Sequence, residues 1–176
     1  MPGTSDFELR PGEPVDIDDS AAARVRARYF REVVGEFATG VVVVTAYVEG
    51  RPVGMTCQTF SSVSLDPPLV SFIPARTSRS WPLMREAGHF CVNVLAADQA
   101  DLAGVFASKG ADKFAGLAWR PAGSGAPILE GVLAYVDCTI AAVHSAGDHD
   151  IVIGQVRALS KLSDAEPLLY HRGAFR

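Results

Sequence analysis

The stretch Gly40-Val-Val-Val-Val-Thr-Ala-Tyr-Val-Glu-Gly-Arg-Pro-Val-Gly-Met-Thr-Cys-Gln-Thr-Phe60 decides the fold class of this chain. Val41 to Val48 is β-branched and apolar, Glu49-Gly50-Arg51-Pro52 is turn material, and Val53 to Phe60 reads as a returning strand. Downstream, Asp66-Pro67-Pro68 breaks the chain before a third strand, Leu69 to Ile73. A short helix from Ser80 to Glu86 stops at Gly88, and Phe90 to Leu95 is the next strand. Asp98 is placed to cap a helix running to about Ser108, and Gly110 to Pro127 has the composition of an ordered loop. Val132 to Val143, Ile151 to Leu159 and Leu168 to Arg172 supply the last strands. Upstream, Asp19 or Ser20 starts a helix with Val25, Tyr29, Val33 and Phe37 at i, i+4 spacing, ended by Thr39-Gly40. Long strands, local turns and few short helices predict a mainly β chain, a closed or partly closed barrel with peripheral helices.

The bulk properties narrow the class. A chain of 176 residues with 48% hydrophobic content fits one domain with a sizeable core, assigned here to residues 21–176. Residues 1–20 hold six acids against the single base Arg10, with three prolines, and are expected to form a mobile tail. A net charge of −4 argues against a nucleic-acid partner. Cys57, Cys91 and Cys138 lack disulfide or zinc spacing and suit a reducing, cytoplasmic setting. No signal peptide is read at the N-terminus, and no apolar run is long enough for a membrane span.

The chemistry is concentrated between Gly54 and Trp81. A helix start carries unpaired N–H groups and a positive dipole end, and Arg76, Thr77, Ser78, Arg79 and Ser80 add cations and hydroxyls there. Thr56, Gln58 and Thr59 are polar groups able to read a flat heteroaromatic ring. Together they suggest a phosphorylated, ring-bearing cofactor along a sheet. On the residues alone, Arg79 and Ser80 serve equally well as cap and solvating groups, and Lys109, Lys113 and Phe114 as a solvated surface. His149, in Gly147-Asp148-His149-Asp150, has a carboxylate neighbour that can fix its tautomer or raise its pKa, or it is a solvated loop residue. The His144–His149 spacing fits no metal pair, so no metal site is expected. Gly123-Ser-Gly125 lacks the third glycine of a dinucleotide fingerprint.

An ordered set of segments carries a family resemblance. It comprises Phe30-Arg-x-x-x-Gly-x-Phe37-x-Thr-Gly40-Val, Pro52-Val-Gly-Met-Thr56, Ser64-Leu-Asp-Pro-Pro68-Leu-Val, Ser78-Arg-Ser-Trp81, Phe90-Cys-Val-Asn-Val-Leu95, Asp112-Lys-Phe-Ala-Gly116, Gly147-Asp-His149 and Tyr170-His-Arg-Gly173. In these the chain resembles the flavin reductase family that serves two-component flavin-dependent monooxygenases. The resemblance implies a split β-barrel, a homodimer with flavin near the subunit interface, FAD or FMN and NADH as cofactors, and a partner monooxygenase that receives reduced flavin. It places flavin contacts on Pro52, Val53, Gly54, Met55, Thr56, Gln58, Thr59, Ile73, Pro74, Ala75, Arg79, Ser80, Val105 and Phe106. It places the nicotinamide on His149, Tyr170, His171, Arg172 and Gly173, with His149 in the catalytic position. Against the family pattern, Val105 is apolar where a basic residue is plausible in relatives and His171 stands where an aromatic ring is common, departures that touch dinucleotide preference. Because the cofactors carry hydride chemistry, the lack of a catalytic triad does not argue against an enzyme. A flavoprotein that keeps its flavin and a flavin carrier or sensor without a hydride-donor site are the alternatives.

Overall fold

The computed structural model describes residues 20–109 and 112–176; the acidic tail expected over residues 1–20 lies, except for Ser20, outside them. In chain order the elements are α1 (Ala21–Val34), β1 (Thr39–Gly40), β2 (Val42–Val48), β3 (Arg51–Cys57), β4 (Ser61–Leu65), β5 (Pro68–Phe72), α2 (Trp81–Ala87), β6 (His89–Val94), a 3₁₀ turn (Ala97–Gln99), α3 (Ala100–Ala107), β7 (Trp119–Pro121), β8 (Pro127–Leu129), β9 (Ala134–Ala146), β10 (His149–Lys161), β11 (Leu169–His171) and β12 (Ala174–Phe175). The main sheet has seven antiparallel strands in the order β3-β2-β6-β9-β10-β5-β4. Its two end strands, β3 and β4, are separated in sequence only by residues 58–60, so the sheet must curl to bring its ends together. No ladder joins those ends. Thr59, just before β4, instead extends the β4–β5 edge, its Oγ1 accepting from Ile73 N at 2.8 Å just beyond β5. The result is the split barrel implied by the family resemblance, in keeping with the closed or partly closed barrel expected from the residue pattern.

The valine run is apolar without a break because both faces of β2 are covered. Val42, Val44, Ala46 and Val48 point into the barrel with Phe72, Trp81, Phe90 and Val152. Val41 and Val43 point the other way, into a second core with Phe106, Phe114, Ile128 and Leu168. Glu49 and Gly50 both take positive φ (48° and 81°) in the two-residue turn from β2 to β3, the mirror-image geometry that suits the twist of a hairpin. A buried polar knot locks the β7–β8 hairpin onto the sheet. Thr45 Oγ1 donates to Pro127 O at 2.6 Å, and Asn93 Oδ1 accepts from Leu129 N at 2.8 Å.

Several boundaries differ from expectation. α1 begins as read, with Ser20 Oγ accepting from Ala23 N, but it closes at Gly35, so Phe37 lies beyond the helix. Its apolar stripe is not covered: Val25, Tyr29 and Phe30 are 63%, 68% and 64% exposed. The second strand stops at Cys57, and β4 is an additional edge strand whose serines disguised it. The loop expected from Gly110 to Pro127 contains the β7–β8 pair. Asp98 sits inside the 3₁₀ turn, and Gln99 Oε1 takes the capping position by accepting from Ala96 N. The last strand expected, Leu168 to Arg172, is β11 (Leu169–His171) in the middle of a separate sheet of order β1-β11-β12, and Arg172 lies in the turn to β12.

Candidate active site

A cleft of about 760 Å³ opens where β3, the loop before α2, the end of α3 and the segment after it meet. That size suits a cofactor-sized ligand. Gly54 makes its floor possible. A Cβ on Gly54 would lie 2.5 Å from Cε1 of Phe106, so the Phe106 ring rests directly against the β3 backbone. Phe114 meets Phe106 edge to face at 5.0 Å, giving an aromatic floor. Thr56 Oγ1 ties α3 to β3 by donating to Ala103 O at 2.6 Å.

The opposite wall is held by hydroxyls. Ser80, buried, donates through Oγ to Gly54 O at 2.8 Å and so pins the start of α2 to β3. Ser78 Oγ accepts from the N–H groups of Ser80 and Trp81, both at 3.3 Å, and takes the capping role at α2 that Ser80 leaves. Behind the wall, buried Asp150 accepts from Trp81 Nε1 at 2.8 Å, with Arg85 and Arg76 at 3.9 and 4.0 Å. The β9–β10 turn is stapled to the same rim, since Asp150 N donates to Pro74 O and Arg76 N to Asp148 O.

The cleft is cationic. Arg51, Arg79, Lys109 and Lys113 line it against the single carboxylate of Asp112. Arg79 Nη1 donates to Lys109 O at 3.3 Å, joining the two sides of the mouth. Lys113 Nζ is fixed by Phe106 O at 2.7 Å and Gly54 O at 3.3 Å. Partial burial, with no carboxylate paired to it among the described residues, pulls the Lys113 ammonium below the usual lysine range.

Of the flavin residues expected from the resemblance, Pro52, Val53, Gly54, Met55, Thr56, Ala75, Arg79, Ser80 and Phe106 line this one cleft. Gln58, Thr59, Ile73, Pro74 and Val105 do not. Thr59 is engaged with the backbone of Ile73, and Val105 is on the exposed side of α3. His149 begins β10 rather than sitting in a loop; it bridges to Ala75 at the rim, and its Nδ1 lies 2.7 Å from Asp148 Oδ1. Tyr170, His171, Arg172 and Gly173 are outside the cleft lining. Tyr170 meets Phe175 edge to face at 5.4 Å, and Arg172 grips Glu36 through Nε at 2.9 Å and Nη2 at 2.6 Å. Arg51 and Leu83 line the cleft without having been singled out, because nothing local marks a turn arginine or a helix leucine as cleft-facing.

Among the described residues, no group of three or more His, Cys, Asp or Glu side chains is arranged to hold a metal, and no helix is long and apolar enough to cross a membrane. Fold and cleft together define a split-barrel protein with a cationic, aromatic-floored binding site. The model of the flavin reductase like domain matches residues 34–176, and the chain belongs to that family. It is 49% identical over 156 residues to the reductase subunit HsaB of a flavin-dependent monooxygenase from Mycobacterium tuberculosis, covering 88% of this chain and 83% of the relative. It is 46% identical over 150 residues to the FMN reductase (NADH) SmoA of Agrobacterium fabrum, covering 85% and 84%. Among solved structures, nitrilotriacetate monooxygenase component B from Mycobacterium thermoresistibile superposes with a TM-score of 0.84 at 46% identity, over 87% of each chain. An NADH:FAD oxidoreductase of Streptomyces globisporus, solved with NAD and FAD fragments, superposes with a TM-score of 0.80 at 36% identity, over 93% of this chain and 95% of that one.

Proposed function

We propose that this chain is an NADH-dependent flavin reductase that takes FAD or FMN in the cleft described above and hands reduced flavin to a separate flavin-dependent monooxygenase. The observation that carries the reading is the cleft itself: four basic side chains converge over a floor of Phe106, Phe114 and bare Gly54 backbone. The donor set fits the flavin. Its phosphate matches the exposed cations Arg79, Arg51 and Lys109 at the mouth, and its flat ring matches the aromatic floor. The names of the similar proteins, which include FMN reductase (NADH) and NADH:FAD oxidoreductase, support NADH as the donor.

When bound, the flavin supplies the hydride-accepting ring, and the chain's own task is placement. The reacting atoms must be held about 3–3.5 Å apart. Gly54, Met55 and Phe106 form one surface for the ring, and the Ser80–Gly54 bond keeps α2 from drifting off β3. His149, at the rim beside Ala75, has its tautomer set by Asp148, so its Nε2 is the group offered outward to the nicotinamide.

The uncovered α1 stripe supports a homodimer, since a second copy of this chain is the partner always at hand for an apolar helix face of this kind. The cytoplasmic setting rests on three free, buried cysteines; burial pushes the Cys138 thiol up to about 12, which suits inert structural thiols. Aerobic NADH oxidation by purified protein, with and without added FAD or FMN, tests the activity. Turnover that rises and saturates with added flavin is expected. Turnover indifferent to added flavin points instead to a flavoprotein that keeps its flavin, and flavin binding without any turnover to a carrier.

A further inference from the structure

The four cations of the cleft are not alike. Arg51, Arg79 and Lys109 are exposed at the mouth, where long side chains can follow a phosphate. Lys113 is half-buried, and its head is seated on two backbone carbonyls, Phe106 O at 2.7 Å and Gly54 O at 3.3 Å. Those carbonyls belong to two of the three residues that make the floor. Asp112, next in sequence, accepts from Phe114 N at 3.1 Å and is not paired with the ammonium. A fixed positive charge therefore stands at the floor, with carbonyl dipoles but no counter-ion beside it among the described residues.

We propose that Lys113 is a redox-selective binding residue: its seated ammonium favours the reduced, anionic flavin ring over the oxidised, neutral one. This rests on the flavin reductase reading of the cleft. In the reaction a hydride, one proton with two electrons, leaves C4 of the dihydronicotinamide and bonds to N5 of the flavin. The nicotinamide becomes a cation, and the neutral flavin ring becomes an anion with its charge spread over N1 and the adjacent carbonyl. A preorganised cation aimed where charge develops costs no rearrangement when it appears. Phosphate anchoring is left to the mouth cations, which meet both redox forms alike. Lys113 then sets the driving force of reduction and the hold on the product, a property distinct from gross flavin affinity.

The test is an anaerobic titration of oxidised and of reduced FMN into wild-type protein, Lys113→Met and Lys113→Arg. In Lys113→Met, the Kd for reduced FMN should rise about tenfold or more while the Kd for oxidised FMN moves less than about threefold. The midpoint potential of bound FMN then falls by about 30 mV for each tenfold change in that ratio. Lys113→Arg keeps the charge and should hold the ratio close to wild type. A ratio unchanged in Lys113→Met, whether both affinities fall together or neither moves, overturns the proposal. So does an arginine variant whose ratio falls as far as that of the methionine variant, which would assign the effect to packing. If wild-type protein binds neither FMN nor FAD, the reading of the cleft itself fails, and this inference with it.

Discussion

The cleft wall and the β1–β11–β12 corner both carry residues expected to meet a cofactor, yet they use their polar groups in different ways. Around the cleft, Arg51, Arg79, Lys109 and Lys113 turn toward one shared space, and the hydroxyls of Thr56, Ser78 and Ser80 brace its walls. In the corner, Tyr170 packs on Phe175, and Arg172 is clasped by Glu36 with its own N–H donated to Gly35 O. One region presents charge, and the other ties down the segment that follows α1. A residue pattern can thus specify chemistry without specifying availability, because availability depends on which groups the fold has already paired.

The comparison breaks most visibly at the floor. Gly54→Val should force Phe106 aside, lower stability by roughly 1–3 kcal/mol as overpacking does, and abolish detectable flavin binding. Thermal melting and flavin fluorescence read the two effects separately. Unchanged flavin affinity in this variant would remove β3 from the binding surface.

Smaller effects sharpen the contrast. Arg79→Ala, at an exposed site, should weaken FMN binding about tenfold, about 1.4 kcal/mol, with a melting temperature close to wild type. An affinity left intact would sink the phosphate-anchor role. His149→Ala should cut NADH oxidation by about tenfold while sparing flavin affinity, since its position at the rim bears on the donor rather than on the floor. Equal losses in both would move His149 into the flavin site.

The smallest effect is expected in the corner. Arg172 holds the Glu36 carboxyl below its usual range, chiefly by hydrogen bonding. A carboxyl depressed in the folded state contributes stability at pH values above its unfolded pKa, and that contribution is lost as pH falls through the lower folded pKa. Glu36→Gln should therefore melt slightly below wild type near neutrality, and the difference should vanish in acid. A lower KM for NADH in the same variant would show that Glu36 withholds Arg172 from the dinucleotide.

Much of the fold was legible because it is decided locally. The valine run, the Glu49-Gly50 turn, the Asp66-Pro67-Pro68 break and the Ser20 cap each act within a few residues of themselves. Less was legible where structure depends on distant partners. The edge strand β4 is serine-rich and draws its order from β5, and the β7–β8 pair inside an apparent loop is locked by Thr45 and Asn93 from other strands. Gly35 is a local stop signal that ends α1 before Phe37, but nothing in the sequence announces that the helix leaves its apolar stripe uncovered.

The same division runs through the site. Residue order by itself determined a mainly β chain with cations and hydroxyls ahead of a short helix, and it carried the family. Tertiary structure alone decided that Lys113 leans onto the carbonyls of Gly54 and Phe106, that Thr59 is tied to Ile73 beside β5, and that Arg172 faces Glu36. The reason is physical: side-chain type is written residue by residue, but the partner of a donor, and hence its freedom to meet a ligand, is fixed only when the chain closes on itself.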